Sequence, residues 1–257
     1  MQKPTLLIDG DLILYRAACA CEQEICWQEE DEIWTLHSNL KEAKDAIRGT
    51  INKVKKDLGG SRVIVAISDH KGNFRNTVHP DYKGNRKGVR KPIGWAVLRE
   101  WFFEDDCPWE ALRRPLLEAD DCMGIMATMP GESRRIIVSD DKDFLCVPAP
   151  FYRIGIGDRG PELFETTEAE ANEFFYTQTL TGDTTDGYSG CPGVGPAKAK
   201  KILQEAKGAP WKAIVDAYKK TGLGEEEALI NARLARILRW SDWDPKTKQP
   251  VLWTPYQ

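Results

Sequence analysis

No stretch of this chain is apolar for the roughly 18 residues that a membrane-spanning helix requires. No signal-peptide core precedes the early acids Asp9 and Asp11 either, so the expectation is a cytoplasmic protein with no membrane partner. Paired cysteine spacing is also missing. The seven cysteines are an odd number, and Cys19, Cys21 and Cys26 form no C-x-x-C pair and have no matching Cys/His pair downstream. That speaks against a disulfide framework and against zinc, and in favour of reduced, buried thiols. A basic surplus is lacking too: the formal net charge is −4, which excludes a protein that coats nucleic acid indiscriminately. There is no internal repeat and no low-complexity tract. What remains is ordinary for a globular chain, with room in 257 residues for one large domain or one domain and a small annex.

The charge is unevenly spread. Between Lys71 and Arg99 eight basic residues face a single acid, Asp81, a local charge of +7 in an acidic protein. Such asymmetry suits a polyanion steered to one face. Within it, Tyr82-Lys83-Gly84-Asn85-Arg86-Lys87 joins an aromatic to closely spaced cations. Tyr82 is placed to stack on a terminal base, and Lys83, Arg86 and Lys87 to contact phosphates.

Alternation of element types sets the fold class. Leu6–Ile8, Arg62–Ile67 and Arg135–Val138 read as buried strands, and Leu12–Ala20, Asn39–Leu58, Glu118–Met129 and Thr167–Thr179 as helices. Glu32–His37 reads as an edge strand, and Phe151–Phe164 as extended chain with turns at Gly155, Gly157 and Gly160. Strands alternating with helices predict an α/β fold with a parallel sheet, a helical region to about Trp240 and a loosely ordered, proline-bearing tail at 241–257. Ligands of such sheets bind outside the carboxyl ends of the strands, where Asp9, Asp69 and Asp141 all fall.

Acids gather at three such ends: Asp9 with Asp11, Glu118-Ala119-Asp120-Asp121, and Asp140-Asp141-Lys142-Asp143; Asp183 and Asp186 form a fourth pair. Clustered carboxylates repel unless a cation joins them, and Mg²⁺ or Mn²⁺ prefers such oxygen ligands. Glu118 and Asp121, at i and i+3, are expected to share one helix face toward a cleft. Asp140 is expected to be the solvent-facing member of its run, and Asp69 is either a ligand or a turn former. Past the fourth pair, Gly193-Val194-Gly195-Pro196 predicts a tight turn into a helix whose free N–H groups suit a backbone phosphate. Lys198, Lys200 and Lys201 extend that contact, and the turn's carbonyls suit a monovalent cation such as K⁺.

Together these motifs resemble the flap endonuclease / 5′→3′ exonuclease family, including the short exonucleases of T-odd phages. The likeness runs from Leu7-Ile8-Asp9-Gly10-Asp11 through Tyr82–Lys87, Leu117–Asp121 and Val138–Asp143 to Gly182–Lys201, helped by Glu29–Trp34, Asp186–Gly190 and Ala235–Arg239. It implies a PIN-like nuclease domain over 1–180 with a helical arch at about 82–115, and a helix-hairpin-helix region over 181–240. It also implies two Mg²⁺ (or Mn²⁺) ions. Asp9, Glu118, Asp120 and Asp141 would ligate one, Asp121, Asp143, Asp183 and Asp186 would support the other, and Asp69 would act through water. Arg16 would help to hold the 5′ region. The implied reaction is hydrolysis at 5′ ends of duplex, nicked or flapped DNA, and of RNA primers on DNA, by a monomer in replication, in a host cytoplasm if phage-encoded. One ion would activate water and the other stabilise the leaving oxygen, with Lys83 and Arg86 offsetting phosphoryl charge.

Two other readings compete. A non-catalytic helix-hairpin-helix DNA-binding protein needs the turn and lysines but not nine separately placed carboxylates. A haloacid-dehalogenase-like phosphatase shares the Asp9-Gly10-Asp11 start, but Leu12-Ile13 fits its motif poorly and the glycine turn is left over.

Overall fold

The computed structural model describes residues 3–28, 33–131, 133–155 and 158–255. The expected turn at Gly157, the start of the edge strand at Glu32 and the Glu29–Asp31 part of the phage-like segment lie outside these. In chain order the elements are β1 (Thr5–Asp9), α1 (Gly10–Ala20), β2 (Glu22–Gln28), β3 (Ile33–Ser38), α2 (Leu40–Leu58), β4 (Arg62–Ala66), α3 (Arg75–Val78) and α4 (Trp95–Trp101). There follow β5 (Glu110–Leu112), α5 (Ala119–Thr128), β6 (Arg135–Val138), β7 (Pro150–Arg153), β8 (Glu162–Glu165) and α6 (Glu168–Thr181). The chain closes with α7 (Pro196–Glu205), α8 (Pro210–Lys219), α9 (Glu225–Ala235), β9 (Trp243–Asp244) and β10 (Gln249–Pro250).

Six strands form the main sheet in the order β5-β4-β1-β6-β7-β8, parallel except for β8. Because β1 and β6 are covered on both faces, Leu6-Leu7-Ile8 and Ile136-Ile137-Val138 are continuous apolar runs without alternation. α1, α2 and α4 close one face around Ile47, Ile51, Leu98 and Trp101; α5, α6 and α9 close the other around Met123, Phe144, Phe151 and Phe175. β1 lies between β4 and β6, so the carboxyl ends of these three strands open side by side. Gly10 makes the exit from β1 to α1 feasible: a Cβ there would meet Ile67 Cδ1 at 2.5 Å and the Ala66 carbonyl oxygen at 2.7 Å. A smaller core of Leu180, Cys191, Val194, Ile214, Tyr218 and Ala228 holds α7, α8 and the start of α9.

Three expectations are corrected. The tail is not loose, because Trp253 packs against Phe175 and Trp211, Trp243 is buried, and β9 pairs with β10. Burying two indole rings outweighs the chain-stiffening signal of the prolines. The edge strand at β3 is half of a separate antiparallel hairpin whose partner β2 carries no alternating pattern to betray it. The segment expected to end the arch, Glu110–Leu112, instead pairs with β4 as the sheet's first strand.

Candidate active site

At the carboxyl ends of β1, β4 and β6 a cleft of about 750 Å³ opens. Its lining includes Asp9, Asp11, Asp69, Glu118, Asp120, Asp140, Asp141, Asp143 and Asp186, facing Arg16, Lys83, Arg86 and Arg99. Asp9 ends β1 and caps α1, accepting from the Leu12 N–H at 3.0 Å. Ser139 Oγ donates to the other Asp9 oxygen at 2.6 Å and accepts from the Asp141 N–H at 3.1 Å, so two strand ends are tied through one buried hydroxyl. Ser68 at the end of β4 does the same elsewhere: its N–H donates to Asp11 and its Oγ accepts from the Ala119 N–H that opens α5. Neither serine nor Asp11 figured among the candidate residues, although Asp11 was part of the first acidic cluster.

Electrostatics divide these acids. Burial, together with the charges of Asp11 and Asp141, pushes Asp9 up to about 7. Burial and the neighbouring Asp9, Asp141 and Glu118 carboxylates push Asp120 well above its ordinary value. Asp143, half-buried and facing Asp141, Asp183 and Asp186, also rises to about 7, while Gln178 Nε2 donates to it at 2.7 Å. Burial raises Asp11 as well, and its Oδ1 is buried with no hydrogen-bond partner. Glu118 behaves oppositely: burial would raise it, but Lys83 and Arg75 hold it down at about 2. The Lys83 ammonium bonds Glu118 and lies 3.6 Å from Asp186, which Arg86 engages at 2.6 Å. The backbone joins them too, through the Lys83 N–H to the Asp186 carbonyl and Asn85 Nδ2 to the Thr184 and Thr185 carbonyls.

Other expected residues lie elsewhere or are differently employed. Asp121 is fully buried, its two oxygens taken by Arg75 at 2.7 and 2.8 Å and by the Leu238 N–H, so it is removed from the metal-binding set. Asp140 is not solvent-facing: Arg16 donates to it at 2.5 Å and the Gly155 N–H at 2.8 Å, and its side chain is 3% exposed. Tyr82 is buried, its hydroxyl 3.1 Å from both Glu118 and Asp186, so its ring is not free to stack on a base. Asp69 lines the cleft but accepts from the Lys71 and Leu116 N–H groups, which hold its pKa below the usual range despite burial; it shapes the loop. Asp183 sits outside the lining, accepting from the Thr185 and Asp186 N–H groups, with Lys142 at 3.7 Å. Lys87 is exposed on the surface outside the cleft.

The glycine turn forms a second surface. Gly193 has φ +69, a left-handed conformation favouring glycine, and Gly195 caps α7 with Pro196 in its first turn. Lys198 Nζ donates to the Gly193 carbonyl at 3.2 Å, while Lys200 and Lys201 are exposed.

The donor set of the cleft fits a divalent cation. It is all oxygen, it holds acids raised by burial and by neighbouring carboxylates, and it includes the unpartnered Asp11 Oδ1. Among the described residues no group of three or more such side chains is already placed to hold a metal ion. The acids therefore line a shared cleft rather than a finished cage.

A family model described as the 5′-3′ exonuclease N-terminal resolvase-like domain matches residues 4–169. The chain is 30% identical to the exodeoxyribonuclease of Enterobacteria phage T3, over 98% of this chain and 93% of that protein. It is also 30% identical to the exonuclease of Escherichia phage T7, over 98% of this chain and 94% of that one. In fold it is similar to a bacteriophage T5 flap endonuclease crystallised as a pseudo-enzyme-product complex with DNA and metal ions. That likeness has a TM-score of 0.66 at 18% identity and covers 91% and 89% of the two chains.

Proposed function

Since the chain belongs to the 5′-3′ exonuclease family, we propose that its cleft hydrolyses phosphodiester bonds at the 5′ ends of duplex, nicked or flapped DNA with two divalent ions, Mg²⁺ or Mn²⁺. RNA primers on DNA are a second substrate, the product carries a 5′-phosphate, and the enzyme works as a monomer in a host cytoplasm during replication. One observation carries this reading: acids from β1, the start of α5, the end of β6 and the 183–188 loop line one cleft, with Lys83 and Arg86 across from them.

Asp9, Asp11, Asp120 and Asp141 would hold one ion, with Glu118 at its edge; Asp143 and Asp186, backed by Asp183, would hold the other. When bound, such ions lower the pKa of attacking water and neutralise charge on the leaving oxygen. The chain's own residues supply the rest. Lys83 and Arg86, anchored on Glu118 and Asp186, present N–H donors at the cleft mouth, where phosphoryl oxygens gain charge. Arg16, held by Asp140 yet 36% exposed, offers a further contact for the 5′ strand. The division is a nuclease domain over 1–180 and a hairpin region over 181–240. In the latter, Gly193, Gly195 and the α7 N-terminus take a duplex phosphate, with Lys198, Lys200 and Lys201 beside it. K⁺ at this turn would compete with Lys198 for the Gly193 carbonyl.

The test is digestion of end-labelled duplex, nicked, flapped and RNA-primed substrates with Mg²⁺. Cleavage directed from 5′ ends and lost in EDTA, with DNA binding retained, is expected. Release from 3′ ends alone, or hydrolysis of small phosphate esters without DNA cleavage, would refute it.

A further inference from the structure

Arg75 belongs to the basic run that suggests nucleic-acid contact, yet it is 3% exposed and makes no use of solvent. All five of its guanidinium N–H donors are committed. Nη1 and Nη2 grip Asp121 at 2.7 and 2.8 Å; Nη1 also reaches Glu118 at 3.2 Å; Nε and Nη2 hold the carbonyls of Leu234 at 3.2 Å and Arg236 at 2.6 Å. Its plane lies over Phe74 at 4.6 Å and beside Tyr82 at 5.7 Å, and Tyr82 in turn contacts Glu118. Asp121 completes the circuit by accepting the Leu238 N–H at 3.1 Å. Of the four residues held by Arg75, Glu118 and Asp121 belong to the α5 start, and Leu234 and Arg236 to a segment about 160 positions away in sequence.

We propose that Arg75 is a positioning residue that fixes the Glu118 carboxylate for metal binding, with Asp121 and the Leu234–Leu238 segment as its anchor. The end of α9 and the stretch just past it thereby become part of the active-site frame, and Leu234, Ala235 and Ile237 line the cleft itself. This rests on the metal-dependent reading of the cleft. A buried arginine with two carboxylates and two carbonyls cannot be replaced by lysine, whose single ammonium lacks the planar fork. The pairing of one fork edge with Asp121 leaves only one direction for Nη1 to meet Glu118, and this sets where that carboxylate points.

The test uses Arg75→Lys and Asp121→Asn in the full chain, each checked for folding by near-UV circular dichroism. Mg²⁺ binding is measured by calorimetry without DNA, and kcat and KM on a 5′-flapped duplex. We expect Mg²⁺ affinity and kcat to fall about 10- to 100-fold in Arg75→Lys, with KM within about threefold of wild type. In a Glu118→Gln background the same change should lower Mg²⁺ affinity by less than about threefold, because the two act through one group. Wild-type Mg²⁺ affinity in a folded Arg75→Lys or Asp121→Asn variant overturns the inference. So does an undiminished effect of Arg75→Lys when Glu118 is already Gln. If Arg75→Lys does not fold, the isosteric Asp121→Asn decides by the same isotherm. A wild-type chain that binds Mg²⁺ but leaves 5′ ends intact would sink the nuclease reading while the isotherms still judge Arg75.

Discussion

The floor and the rim of the cleft contain the same kind of side chain and treat it in opposite ways. On the floor, Asp9, Asp120 and Asp143 are raised by burial and by neighbouring carboxylates, Asp141 being common to all three. At the rim, Glu118 is held at about 2 by Lys83 and Arg75, and Asp186 is paired with Arg86. The contrast teaches that the floor was built for a cation the chain does not supply. The rim carries its own positive charge, available to a substrate.

The largest break in that comparison comes from Asp141→Ala. Removing the carboxylate that neighbours all three floor acids should cut the 5′-cleavage rate roughly 10³-fold or more, read as kcat on end-labelled duplex, since an ion contributes several kcal/mol to the transition state. Lys83→Ala removes a rim donor and should cost less, about 10²-fold in kcat, with Mg²⁺ affinity retained.

A third expectation concerns pH without metal. Asp9 and Asp143 keep protons up to about pH 7 in the folded chain, whereas the unfolded chain releases them near pH 4. Folding therefore takes up protons, and stability should decline as pH rises from about 4 to about 7. Glu118 works in the other direction, but its window lies below 4.5. Thermal melts of the metal-free protein should accordingly show a lower midpoint at pH 8 than at pH 5, and Mg²⁺ should close the gap. Asp9→Asn keeps a capping side chain and removes the charge, so at pH 8 it should stabilise the metal-free chain by about 1–3 kcal/mol while abolishing cleavage. A midpoint independent of pH would erase the distinction between floor and rim.

The smallest effect is expected away from both. Lys200→Ala, on the exposed start of α7, should weaken duplex binding uniformly across sequences and lower the salt slope by about one, leaving kcat near wild type.

Much of this was legible in the sequence. Buried runs such as Leu6–Ile8 and Ile136–Val138, the amphipathic spacing of α2 and the Thr167 cap of α6 are local signals, and the structure keeps them. The acids were legible because a charge directly after a buried strand has few structural uses. The fate of each acid was not. Asp120 and Asp121 differ by one residue, hence by about 100° around the helix, and one faces the cleft while the other faces Arg75. Tyr82 and Arg75 looked like surface residues of a basic loop because their partners, in the 186 and 234–236 segments, are remote in sequence. The tail misled for the same reason, since Trp253 finds its pocket only once α6 and α8 are assembled.

The most direct measurement is a crystal structure of the protein soaked in Mn²⁺, with the ions located by anomalous scattering. The account predicts two peaks in the cleft, one within about 2.2 Å of oxygens from Asp9, Asp120 or Asp141 and the other beside Asp143 and Asp186. No peak there, or manganese bound only at acids elsewhere on the surface, would contradict it.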